Sequence, residues 1–170
     1  MKEEKTKDQI FELVKNIHVD CFKLCKDAIG KYLPVAGNVG IFCQTEDDFL
    51  EFTNIRKEIT EPSSNPVQKY YRLNEPFVIP AVDDIPQTIY THLYIRKPSN
   101  DSPEAGDVDF VLSSKEYLSL KQKIMEGVEI KGAGIYNRPG WDNIEIRNSK
   151  INALTYIGTQ EMAEKVRIKF

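Results

Sequence analysis

Of the 170 residues only two are histidine, three are cysteine and one is tryptophan. A small, odd number of cysteines without dense, regular spacing excludes a disulfide-stapled scaffold and fits a reducing compartment with at least one free thiol. The paired spacing C-x2-C, which brings two ligands to a structural zinc, is missing as well. No apolar run approaches the length of a transmembrane helix, and the opening MKEEKTKDQ has no apolar segment behind its charges. Neither a membrane span nor an export signal is therefore expected, and the chain reads as cytoplasmic. There is no basic stripe: net charge is −3 with acids and bases interleaved, so nucleic acid is not an expected partner. Internal repeats and low-complexity segments are also lacking.

What is present is the composition of a globular domain, 41% apolar and 29% charged. At this length one domain spanning residues 1–170 can bury about two-thirds of its unfolded surface, so it needs neither disulfides nor metal to fold. From Lys7 to Leu33 apolar residues recur every three or four positions, the stripe of an amphipathic helix ending near Gly30 and Pro34. The segment HVD at 18–20 offers a break, with Asp20 capping a second helix that begins at Cys21. VGIFCQ reads as a buried strand, and TEDDFLEFTNIRKEIT as a helix with a threonine cap and acids in its first turn. Five prolines between Glu61 and Gln87 predict an extended surface excursion.

YTHLYIRK alternates Thr91, Leu93 and Ile95 against His92, Tyr94 and Arg96, and GDVDFVL alternates likewise, which predicts an antiparallel pair. SSKEYLSLKQKIMEG carries a serine cap and a glycine stop. Strands are expected near VEIKGAGIY, WDNIEIRN and NALTYIG, with a last one at EKVRIKF that would form an exposed edge and a homodimer contact. The order describes an α+β domain with helices packed on a largely antiparallel sheet.

HVDCFKLC puts His18, Cys21 and Cys25 on one helix, and three chemistries compete for them. As a metal site they would pair with His92 or Cys43 to hold zinc, for which thiolate and imidazole are suited ligands. As core, they are small buried residues, and the protein is a small ligand- or protein-binding domain with inert thiols. As an active site, Cys21 in the first turn of a helix would be activated by a histidine from elsewhere. His92, on a sheet packed against that helix, is a better placed base than His18 on the preceding turn.

The segments VDCFKLCKDAIGKYL, YTHLYIRK and GDVDFVLS follow the order helix-borne cysteine, strand opening on histidine, strand carrying the group that orients it. In this the chain resembles transglutaminase-like cysteine proteases, vasohibins in particular. Through GKYLPVAGNVGIFCQ, YTHLYIRKP and GDVDFVL it also resembles an uncharacterised family of Candidate Phyla Radiation bacteria, whose members include a protease distantly similar to vasohibins. The resemblance implies a transglutaminase-like or papain-like arrangement and a cysteine peptidase acting on a peptide or protein substrate without a cofactor. It assigns Cys21 as nucleophile, His92 as general base and the Leu112 carbonyl as acceptor of the imidazole N–H, a geometry that leaves the other ring nitrogen free to take the thiol proton. Asp20 and Ser113 stand where vasohibins have basic residues for a substrate carboxylate, so tubulin carboxypeptidase activity is not implied. Two further patterns are weaker. Asp107 and Asp109 match the paired aspartates of nucleotidyl-transfer enzymes but lack the preceding Gly-Ser helix motif, and they read as a strand's solvent face. His92 with Glu145 matches a metal pair of a vicinal-oxygen-chelate module, of which a second copy is missing.

Overall fold

A computed structural model describes residues 5–168. It shows a single α+β domain of four helices and one mixed seven-stranded sheet. Helix α1 spans Lys7–Ile29 without a break. Its start is fixed by Thr6, which accepts from the Gln9 amide while Gln9 reaches back to the Thr6 amide, a reciprocal cap. Its end is Gly30 at φ 83°, a left-handed cap that a residue with a Cβ adopts at a cost. The expected break at HVD is absent because the stripe Ile10, Val14, Ile17, Cys21, Leu24 stays in phase through it and packs on the sheet. Cys21 consequently lies about four turns into the helix and not at its N-terminus.

The strands are β1 (Val35–Phe42), β2 (Tyr71–Ile79), β3 (Thr88–Arg96), β4 (Gly106–Val111), β5 (Ala133–Arg138), β6 (Trp141–Arg147) and β7 (Leu154–Gly158). Their order in the sheet is β2-β3-β1-β4-β7-β6-β5. β1 runs parallel to β3 and antiparallel to β4, so the expected direct pairing of the His92 strand with the Asp107 strand is corrected: β1 is inserted between them. The expected proline-rich excursion contains edge strand β2, whose Pro76 falls at an irregularity of the β2–β3 register, a place where a missing amide donor is tolerated.

Helices α2 (Glu46–Ile59) and α3 (Ser114–Met125) begin at Thr45 and Ser113, which cap as their sequences predict. With α1 they cover one face of the sheet, against Val39, Leu93, Val108, Phe110, Ile144 and Ile157. The short helix α4 (Gln160–Lys165) lies on the opposite face, and residues through 168 continue in a turn. EKVRIKF is therefore not the expected strand, and the expected edge contact has no basis in residues 164–168; Lys169 and Phe170 lie outside the described residues. No helix among the described residues is long and apolar enough to cross a membrane.

Candidate functional site

Strand pairing assigns each predicted site residue to a face. His92 is in register with Asn38, and Val39 with Leu93 and Val108. Val39, Leu93 and Val108 join the core under α1, so Asn38, His92, Asp107 and Asp109 belong to the other face. Cys21 belongs to the core face, where its Sγ donates to the Leu154 carbonyl at 3.3 Å. The structure does not bring Cys21 and His92 together: the sheet's own backbone stands between thiol and imidazole, and no side-chain rotation removes it.

The rest of the triad is also apart. His92 Nδ1 shares a 2.8 Å hydrogen bond with the Thr91 hydroxyl, and the charges around it are Arg167, Arg72 and Glu164. Leu112 lies just past the end of β4, donating its amide to the Gly158 carbonyl, two strands away from β3. Burial, with Asp107 and Asp20 nearby, pushes the Cys21 thiol well above its ordinary value, the reverse of what a nucleophile needs. Cys25 is pushed up to about 11 and Cys43 to about 12, both first by burial. In the intact protein none of the three thiols should react with iodoacetamide near pH 8, and all three should react after unfolding in urea, read by mass spectrometry. Fast labelling of Cys21 alone in the folded protein would restore it as a nucleophile.

The zinc reading meets a similar outcome. His18 Nδ1 is 2.7 Å from the Tyr90 hydroxyl, Cys21 donates to Leu154, and Cys25 is 3.5 Å from the Lys31 carbonyl. Among the described residues no three His, Cys, Asp or Glu side chains are grouped to hold a metal. Glu145 shares the open face with His92, since it pairs with Tyr156, but it is engaged with Arg147 at 2.7 Å.

The open face carries the chemistry that sequence reasoning set aside. Phe42, Tyr94, Arg96, Asp107, Tyr136, Arg138 and Tyr156, from five strands, line one cavity of about 330 Å³. A flat sheet could not bring those strands to a single cavity, so the sheet curls around it. Asp107 and Asp109 form its floor and are almost fully buried. Asp107 receives the Tyr70 hydroxyl at 3.3 Å, while Asn38 donates to Asp109 at 2.8 Å. Asn38 is itself held by the Ala163 carbonyl at 2.8 Å and by Arg167 Nε, which donates to its Oδ1 at 2.7 Å. α4 and the turn after it thus fix the orientation of the Asn38 amide, and with it Asp109.

Desolvation is the first cause that raises both carboxyls, Asp107 to about 8 and Asp109 to about 6, with the charge of Asp109 adding to the rise at Asp107. Tyr70 and Tyr94 pack at 5.2 Å, Arg96 lies 4.5 Å over the Phe42 ring, and Arg138 lies 4.8 Å over Tyr136 and 5.4 Å over Tyr156. The sequence signal for this site was the pair of acids at alternate positions of GDVDFVL; their burial follows from the place of β4 between β1 and β7, which the strand order supplies.

No protein-family model and no curated protein matches the chain. A solved structure from structural genomics, protein EC4020, superposes with a TM-score of 0.58 at 12% identity, over 94% of this chain and 90% of its own. At that identity the likeness shows the α+β fold and carries no function.

Proposed function

We propose that the protein binds a small molecule in the curled face of its sheet, with Asp107 as the acid–base group that meets it. The observation that carries this is a pair of buried carboxyls placed side by side under a cavity that opens to solvent. Burying two acids costs far more than filling the same space with leucine or valine, and a fold selected for stability alone gains nothing from it. A carboxyl that stays protonated near neutrality can donate a proton or a hydrogen bond to a ligand, which is how perturbed acids in clefts are used. The cavity is at the small end of ligand sites, and its tyrosines and arginines are the polar groups that would orient a ligand. A peptidase built on Cys21 has no such support, because its base lies across the sheet.

A fragment library screened by amide NMR tests the reading. Binders should shift Tyr70, Tyr94, Arg96 and Tyr156, and Asp107→Asn should remove the pH dependence of their affinity between about pH 6 and 9. Binders that cluster elsewhere and leave this face unshifted would overturn it.

A further inference from the structure

Resting on the small-molecule reading of the curled face, we infer that strand β1 divides the roles of its two buried acids: Asn38 holds Asp109 as the proton acceptor of the site, and Gly40 gives Asp107 room as its proton donor. The acids stand at alternate positions of β4 and both turn toward β1, where they meet different neighbours. Asp107 is in register with Gly40, and its Oδ1 lies 2.2 Å from the place a Cβ on that glycine would take. A side chain there would displace the carboxyl, so β1 offers Asp107 space and no side-chain donor. What Asp107 does meet is the Tyr70 hydroxyl, 3.3 Å from each of its oxygens. A hydroxyl both donates and accepts, so Tyr70 suits either protonation state.

Asn38 lacks that freedom. Its Nδ2 donates at 2.8 Å to Asp109 Oδ2 and at 2.8 Å to the Ala163 carbonyl, which can only accept, while its Oδ1 accepts from Arg167 Nε at 2.7 Å. Turning the amide over would set an oxygen against that carbonyl and an N–H against the guanidinium. The amide therefore presents an N–H to Asp109, and a donor in that place favours the ionised carboxyl. Burial raises both acids; after it, the Asn38 hydrogen bond leads the influences on Asp109, and the charge of Asp109 leads those on Asp107. The cations do not make the distinction by themselves, since Arg138 acts on both acids, Arg96 on Asp107 and Arg167 on Asp109. The facing hydroxyls of Tyr70, Tyr94 and Tyr156 are raised first by burial and stay neutral. Lys69, Asp101, Tyr136 and Arg147 complete the titratable lining. Asn38 is thus a positioning residue, and Arg167, which also donates to the Ala36 carbonyl at 3.1 Å, sets it from the turn after α4.

Carbon-13 NMR of the aspartate side-chain carboxyls, assigned with Asp107→Asn and Asp109→Asn and titrated across neutral pH without ligand, tests the division. The step at lower pH should appear mainly at Asp109 and the step at higher pH mainly at Asp107. Asn38→Ala, checked for a native amide spectrum, should raise the Asp109 midpoint by at least about one pH unit, the worth of a hydrogen bond to a charged group. Arg167→Lys keeps a cation beside Asp109 but loses the Nε donor that orients Asn38, so it should raise Asp109 in the same direction by less. If Asn38→Ala does not fold, Arg167→Lys carries the test, and an unmoved Asp109 midpoint there overturns the inference. It is equally overturned if Asp107 gives up its proton first, or if folded Asn38→Ala leaves Asp109 where it was. None of these results decides whether the cavity takes a ligand: that reading falls only if fragments leave the curled face unshifted.

Discussion

Asp107→Asn is expected to stabilise the protein at pH 8 and to flatten the dependence of its stability on pH. The wild-type carboxyl is raised to about 8 in the folded state, against about 3.9 for a solvated aspartate. Between these values the folded state holds a proton that the unfolded state has released. The stability this contributes is fully present below about pH 4 and is lost as pH rises through the folded value. The loss is therefore progressive across the window between the unfolded and folded values, and it is the sign and position of this slope that the variant removes. Asparagine keeps the shape and the acceptor for Tyr70 but has no proton to lose. The groups that face Asp107, namely Asp109, Tyr70, Arg96 and Arg138, stay in place, and the pH dependence that remains in the variant includes that of Asp109, whose carboxyl is also raised by burial. His18 and His92 work in the opposite direction, both lowered to about 4 by burial. From about pH 6.5 down to that value the unfolded state binds protons that the folded state does not, so their contribution to stability falls as acid is added. The measurement is Tm against pH for the two proteins. Parallel curves between pH 6 and 9 would show that Asp107 is ionised in the folded state and would remove the acid from the proposed site.

What could be read in advance was what depends on neighbours in sequence. The caps Thr45 and Ser113, the stripe of α1 and the alternation of β3 each follow from a few adjacent residues, and each is found in the structure. The insertion of β1 between β3 and β4 depends on long-range pairing that no local pattern encodes, and it decided the site. With β3 and β4 adjacent, His92 could be imagined under a helix; with β1 between them, register assigns His92 to the face of Asn38. β2 was hidden for a different reason: its prolines argue against a strand except at an edge, and its place at the edge follows only from the whole sheet. Asp107 and Asp109 were legible as alternating residues but not as buried ones. Their burial comes from the curl of the sheet and from Tyr70, which approaches from outside the strand pattern.

Gly106→Ala should cost at least about 3 kcal/mol, near the upper end of overpacking penalties, and lower Tm by roughly 6–12 °C for a domain of this size. A Cβ at this position would come within 2.1 Å of the Gly40 carbonyl oxygen and 2.6 Å of Ile17 Cδ1. The first is backbone of the adjacent strand and cannot rotate away; the second belongs to the α1 stripe. Relief therefore requires β1 to separate from β4 or α1 to lift from the sheet, and each loosens contacts on which the core is built. Asp107 is the next residue and points to the other face, so a shift of β4 also displaces the floor of the cavity. Gly134→Ala is the control: it too is a strand glycine, but its added Cβ meets nothing within 4 Å, and stability should be unchanged or slightly improved. Urea midpoints of the two variants, with equal m-values, measure the difference. A Gly106→Ala protein within about 1 kcal/mol of the wild type would show that β1, β4 and α1 are not held as closely as the site requires.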